Sequence, residues 1–256
     1  MKNERHAIIT GASTGIGFAT AEIWLKTGNS ATFIGRRANA LQNTKRRLVS
    51  SGVLENQIDL FPGDAANPEQ MTKLFSGWKR PHLDLIVQAA GQRFTGSGEN
   101  TNLENWKSSM ESNLFSAVVL PPLALPLLRK SAKENRSPCI VNIANALAMK
   151  ASAGMIAYST AKAALAHYTK CLALELANEG IRVNAVAPAA VDTEMLRSGA
   201  NDAAYENFKK DLAAYHPLGR IGTAEEIARG ILFLAAPENS WITGTVLNID
   251  GGYSLK

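Results

Sequence analysis

The sequence predicts an α/β fold: a doubly wound parallel sheet of about seven strands, flanked by helices on both faces. Three observations predict it. Short β-branched runs alternate with longer segments of helical period. A glycine-rich turn stands between the first strand-like run and the first helical one. No repeat or linker divides the 256 residues, so one domain is expected, and a chain of this length buries enough surface to need neither disulfide nor metal.

The runs Ala7–Thr10, Ala31–Ile34, Ile58–Phe61, Leu83–Val87, Cys139–Ile143, Ile181–Val186 and Val246–Ile249 read as buried strands. Segments 16–27, 38–51, 68–78, 102–133, 156–179 and 224–236 read as the helices between them. Right-handed crossovers then make the sheet doubly wound. Within 102–133, Pro121, Pro122 and Pro126 predict a kink, because proline removes backbone donors. The uncharged stretch Leu114–Leu128 is shorter than the about 20 residues a membrane span needs. Segment 190–222 breaks the alternation with a helical piece near 202–214. An insertion there falls at the carboxyl edge of the sheet, where ligands bind, and reads as a substrate lid.

Composition excludes several classes. With 46% hydrophobic and 19% charged residues, the chain is not disordered. Its 27 Lys and Arg against 22 Asp and Glu give a net charge of +5, but the densest cluster is only Lys45-Arg46-Arg47. That reads as a solvated helix face, so no nucleic-acid partner is expected. Cys139 and Cys171 lie in apolar segments and read as buried free thiols in a reducing compartment. The short apolar run at the N-terminus is not a signal peptide. A cytoplasmic protein with no membrane partner and no metal site is expected.

The run Thr10-Gly11-Ala12-Ser13-Thr14-Gly15-Ile16-Gly17 leaves a strand and opens a helix. Glycines let backbone amides approach a phosphate, and the helix N-terminus stabilises its charge. With its G-x-x-x-G-x-G spacing, the chain resembles the short-chain dehydrogenase/reductase family. The resemblance extends through Tyr158-Ser159-Thr160-Ala161-Lys162, Asn113, Pro217-Leu218-Gly219-Arg220, Glu225-Glu226-Ile227-Ala228, Ile242-Thr243-Gly244 and Asp250-Gly251-Gly252. It implies a Rossmann-like fold and hydride transfer between a nicotinamide dinucleotide and a ketone or secondary alcohol. It also implies a cofactor site at Gly11, Ser13, Thr14, Gly15, Ile16 and Gly17, then Asp64 and Ala65, Ala90 and Gly91, Tyr158 and Lys162, and Pro188, Val191 and Thr193. Asp64 is expected to meet the adenine amino group or to cap a turn. A homotetramer or dimer, packed through 102–133 and 156–179, is implied as well, with the Gly251-Gly252-Tyr253 tail reaching a neighbour.

The second strand-like run ends in Gly35-Arg36-Arg37. An acidic residue there would favour NAD. Guanidinium groups instead pair with a 2′-phosphate, so NADP(H) is favoured over NAD.

The catalytic set expected is Tyr158, Lys162, Asn113 and Asn145. Tyr158 and Lys162 are one helical turn apart. An ammonium about 4 Å from the phenol, at an effective dielectric near 20, would favour phenolate by about 4 kcal/mol before desolvation. The resemblance gives Lys162 the nicotinamide ribose and Asn113 a water in a proton relay. Where the family has a serine thirteen residues before the tyrosine, this chain has Asn145, whose amide can donate to a carbonyl. Ala89 stands for an asparagine and Ala189 for a glycine. These departures motivate an alternative: a catalytically weak nucleotide-binding sensor or complex subunit. The substrate pocket is expected from 92–98, 146–156 and 189–215, including Phe94, Met149, Met155, Met195, Leu196 and Tyr215, with Arg93 and Arg197 as available cations.

Overall fold

Seven parallel strands form the central sheet of the computed structural model, which describes residues 4–197 and 201–256. They are β1 His6–Thr10, β2 Ser30–Gly35, β3 Ile58–Pro62, β4 Leu85–Gln88, β5 Cys139–Ile143, β6 Arg182–Pro188 and β9 Val246–Ile249, in the order β3-β2-β1-β4-β5-β6-β9. All seven expected strands are present. The order reverses between β1 and β4, which opens a crevice at their carboxyl ends.

Side chains alternate across the sheet. Ala7, Ile9, Phe33, Val87 and Val141 meet Trp24, Leu25, Leu41 and Ile231 on one face. Ile8, Ile34, Ile86, Ile140 and Val183 meet Met71, Leu120, Ala124, Leu128 and Leu176 on the other. Helices α1 Gly15–Lys26 and α2 Ala38–Ser50 thus share the first face with the late helix Ala224–Ala235. Helices α3 Pro68–Ser76, α4 Leu103–Lys133 and α5 Ile156–Leu176 cover the second.

Helix α4 is 31 residues long and apolar enough, by length and composition, to cross a membrane. Here Leu120, Ala124 and Leu128 are fully buried against the sheet. It is irregular at two places, one of them beside the prolines, where regular helix breaks at Val119 and the Ala117 carbonyl that Pro121 cannot serve accepts from Gln88 instead. The winding loosens to a π turn over Glu111–Phe115, and Pro121 and Pro122 sit where helix resumes, with Pro126 inside it. The π turn is a second departure from the ordinary ladder, upstream of the break at Val119.

Segment 190–222 leaves β6 through β7 Val191–Asp192, the short helix α6 Glu194–Arg197 and α7 Asp202–Ala213, and returns as β8 Gly222–Thr223 beside β7. Residues 198–200 of this expected lid lie outside the described residues. The Tyr205 hydroxyl donates to Asp192 Oδ1 at 2.6 Å, fixing α7 to β7. At the return, α8 Ala224–Ala235 opens with a reciprocal cap between Thr223 and Glu226. Arg220 pairs with Glu226 through both guanidinium nitrogens and, as the largest cause, holds its carboxyl down at about 2.

Cys139 is buried as expected, but Cys171 is exposed. It lies on α5, a helix whose buried residues Leu165, Ala166, Thr169 and Ala173 take the sheet-facing positions around it.

His6 at the start of β1 is buried between the Ser30 and Thr32 hydroxyls, at 2.8 and 2.9 Å. Burial, with a smaller push from Arg80, lowers its pKa from 6.5 to about 4. Below pH 6.5 the unfolded chain therefore binds a proton that the folded chain refuses until about pH 4. Stability should be fully present above 6.5, fall through this window by about 3 kcal/mol, and level off below it. Urea melts across that range should show the slope in the native chain and a flattened slope in His6→Gln. Equal slopes in the two proteins would contradict the assignment.

Candidate active site

The crevice at the carboxyl ends of β1, β4, β5 and β6 holds a cleft of about 620 Å³, within the range of small-molecule sites. Every cofactor and catalytic residue expected from the sequence lines this cleft.

The glycine turn is shaped by what it cannot hold. Gly11 has φ +66°, and a Cβ there would lie 2.7 Å from the Ala89 carbonyl oxygen. A Cβ on Gly17 would collide with the Gly11 carbonyl oxygen. The turn therefore folds tightly against the end of β4, where Ala90 N–H also donates to the Thr10 hydroxyl at 2.9 Å. Helix α1 starts at Thr14 without a side-chain cap and with no acidic residue in its first turn. Helix α2, which follows Arg36 and Arg37, starts the same way. In contrast, Asn67, Asn102, Asn201 and Thr223 cap their helices. The free N–H groups of α1 and the cations before α2 face one cleft, an arrangement that suits a ligand with two separated phosphate groups. Among the described residues, Arg36 and Arg37 make no ion pair. Asp64 Oδ1 accepts from Ala66 N–H at 2.9 Å, so it caps its turn while lining the cleft.

Tyr158 and Lys162 lie in the first two turns of α5, 7% and 4% exposed. Lys162 Nζ donates to the Ile143 carbonyl at 2.7 Å and lies 5.8 Å from the centre of the Tyr158 ring. The ammonium-lowered phenol expected from the sequence is not what this arrangement gives. Burial dominates both groups: it pushes Tyr158 up to about 12, against a smaller opposing effect of the Arg93 charge, and lowers Lys162 to about 8. Each group loses hydration when charged, and the lysine's hydrogen bond is spent on a carbonyl.

Asn113 sits in the π turn, 1% exposed. Its Oδ1 accepts from Gln92 N–H at 3.2 Å, and its Nδ2 donates to the Gln92 carbonyl at 2.8 Å and the Ser109 carbonyl at 3.1 Å. The amide thereby clamps the loop after β4. Asn145 ends β5 and caps a short turn, its Oδ1 accepting from Leu147 N–H at 3.0 Å. Its amide N–H groups are left for the cleft.

The two alanine departures are accommodated. Gln88, one residue before Ala89, points to the opposite side and donates to the Ala117 carbonyl of α4 at 3.1 Å. Ala189 is not among the residues with positive φ, so this loop does not demand glycine. Thr193 packs against Gly15, and its hydroxyl donates to the Val191 carbonyl at 3.3 Å.

On the substrate side, Met155, Met195 and Leu196 line the cleft as expected, whereas Phe94, Met149 and Tyr215 do not. Met149 and Tyr215 are exposed, because α7 ends at Ala213 before Tyr215 can share its inner face. Phe208 and Leu212 on that face take the place, readable as an apolar repeat of helical spacing. His216 and Tyr253 were not legible in the sequence. Their rings lie 5.5 Å apart at the cleft wall, so the C-terminal tail packs on segment 190–222 of its own chain. Among the described residues no cluster of metal-ligating side chains occurs.

A family model described as enoyl-(acyl carrier protein) reductase matches residues 11–254. The chain is 33% identical over 250 residues to 3-oxoacyl-(acyl-carrier-protein) reductase FabG of Chlamydia muridarum, covering 96% of each. It is 32% identical to the rhamnolipids biosynthesis 3-oxoacyl-(acyl-carrier-protein) reductase of Pseudomonas aeruginosa, covering 98% of this chain and 96% of that one. Among solved structures, ElxO with NADP bound superposes with a TM-score of 0.88 at 29% identity, covering 99% of this chain and 100% of ElxO. A variant of actinorhodin polyketide ketoreductase with NADPH superposes with a TM-score of 0.90 at 27% identity, covering 100% of this chain and 99% of that one. Motifs, sheet order, cleft and relatives agree: the chain belongs to the short-chain dehydrogenase/reductase family of NAD(P)-dependent oxidoreductases.

Proposed function

We propose that the protein is an NADPH-dependent reductase that converts a ketone into a secondary alcohol. The observation that carries this reading is the convergence of Tyr158, Lys162, Asn113 and Asn145 on the cleft that also holds the glycine turn and two unpaired arginines. The turn fits a dinucleotide because its glycines leave the room a Cβ would fill. The α1 N-terminus and Ser13, Thr14 and Ile16 would hold the pyrophosphate, and Arg36 and Arg37 would hold a 2′-phosphate. Asp64 and Ala65 would flank the adenine, and Ala90, Gly91, Pro188, Val191 and Thr193 the nicotinamide half. A bound reduced nicotinamide supplies the hydride.

The chain's own residues supply the rest. Tyr158 is protonated at neutral pH, since its pKa is raised to about 12, and so is ready to give its proton to the carbonyl oxygen. Lys162 is an ammonium below about pH 8. It holds the ribose and stabilises the phenolate left behind. Asn113 fixes the loop at Gln92 and would position the water through which a proton reaches Lys162. Asn145 donates its free amide N–H to the carbonyl, since its oxygen is engaged with Leu147. Segment 190–222 acts as the lid. The sensor alternative is not favoured, because the described relatives are named as reductases.

Self-association into a homotetramer is part of the proposal. Leu103 and Leu174 stand 70% and 82% exposed on α4 and α5, and Trp241 is 97% exposed on the far side of α8 in sequence. A monomer in sedimentation would contradict it. Two unpaired thiols support a reducing, cytoplasmic setting.

A variant series tests the catalytic assignment. Tyr158→Phe should nearly abolish NADPH oxidation over a ketone panel. Asn145→Ala should lower kcat by roughly 10²–10³, the cost of one oxyanion donor elsewhere. In both, NADPH affinity by fluorescence titration should stay within a few fold. Undiminished turnover in Tyr158→Phe would refute the reading.

A further inference from the structure

Arg93 lines the cleft as a cation with no anionic partner among the described residues. Its backbone follows Gln92, the residue clamped by Asn113, so the catalytic framework itself sets its position. Its guanidinium carbon lies 6.0 Å from the centre of the Phe208 ring on α7, bridging the loop after β4 to the lid helix. Among the described residues it makes no ion pair, although Asp64 and Glu111 line the same cleft. Arg197, the other candidate cation, is already engaged: it pairs with Asp202 at 2.5 Å and lies over Tyr205. Arg93 is also the one charge that opposes the burial of the Tyr158 hydroxyl, which places it within electrostatic reach of the reacting centre. Leu147, Met155, Leu196 and Leu212 give the same cleft an apolar wall.

A half-buried guanidinium over an aromatic ring, with its fork unused, matches a carboxylate bidentately. One cation balances one negative charge, which fits a carboxylate better than a doubly charged phosphate. We propose that Arg93 anchors the carboxylate of the substrate, so that the protein reduces an oxo acid with an apolar body rather than an uncharged ketone or thioester. The inference rests on the reductase reading and adds the substrate class. Arg93 sets the distance between the bound carboxylate and the carbonyl at Tyr158, and the apolar wall takes the remaining chain.

Matched pairs of oxo acids and their methyl esters provide the test. With NADPH, the native protein should favour the acid by at least about tenfold in kcat/KM, mostly through KM. The preference should shrink as ionic strength rises. Arg93→Met should bring the ratio near one, and Arg93→Lys should keep part of it, since charge survives without the fork. A native preference for the ester, or an acid preference that persists in Arg93→Met, would overturn the proposal. Calorimetric titration of acid and ester into NADPH-saturated Tyr158→Phe protein reads the same contact without turnover, and equal affinities there would also overturn it. Failure of acid and ester alike to consume NADPH would instead count against the reductase reading, leaving the calorimetric comparison to decide Arg93.

Discussion

One side chain holds the site together. The Asn113 amide lies inside a helix that has slackened by one residue per turn, and it makes both donor and acceptor bonds to Gln92 on the loop after β4. The same amide takes up the Ser109 carbonyl one turn earlier. Gly91 is thereby pressed between Asn113 and Lys162: a Cβ there would lie 2.9 Å from the Asn113 oxygen and 3.5 Å from the lysine nitrogen. Loop, helix α4 and helix α5 thus meet at one buried point. Breaking it would orphan buried polar groups at about 1–3 kcal/mol each and free the loop that aims Arg93.

Burial then decides what the site can do. A phenol raised to about 12 keeps its proton at neutral pH, and a lysine lowered to about 8 gives up its charge more readily than a free one. In the proposed reaction Tyr158 starts as a proton donor, the state that carbonyl reduction consumes. The glycine turn makes a complementary demand: its crowding against β4 admits no side chain, and its uncapped helix has no internal acceptor for its first N–H groups.

The strands were legible because a sheet covered on both faces needs uninterrupted β-branched runs, and few other structures use them. The helix α7 in segment 190–222 was legible from its period, within one residue of its end at Ala213. Less accessible were features set by tertiary packing. Proline marked the break in α4 at Val119, but the π turn that carries Asn113 to Gln92 has no local pattern to announce it. Tyr215 looked like a pocket residue until the helix end turned it outward, and His216 and Tyr253 reach the cleft only because the C-terminal tail folds back over α7. The protonation of Tyr158 depends on tertiary packing in the same way. Helical spacing puts Lys162 on the same face, but the hydrogen bond to Ile143 and the depth of burial belong to the folded core.

Tracing the hydride tests the account most directly. NADPH labelled with deuterium at the transferring position of the nicotinamide, mixed with the protein and a reducible oxo acid, should leave deuterium on the carbinol carbon of the product. The transfer should slow with the label, and NADH should serve poorly in its place. A product that carries no deuterium while NADPH is bound and consumed would contradict reduction at Tyr158.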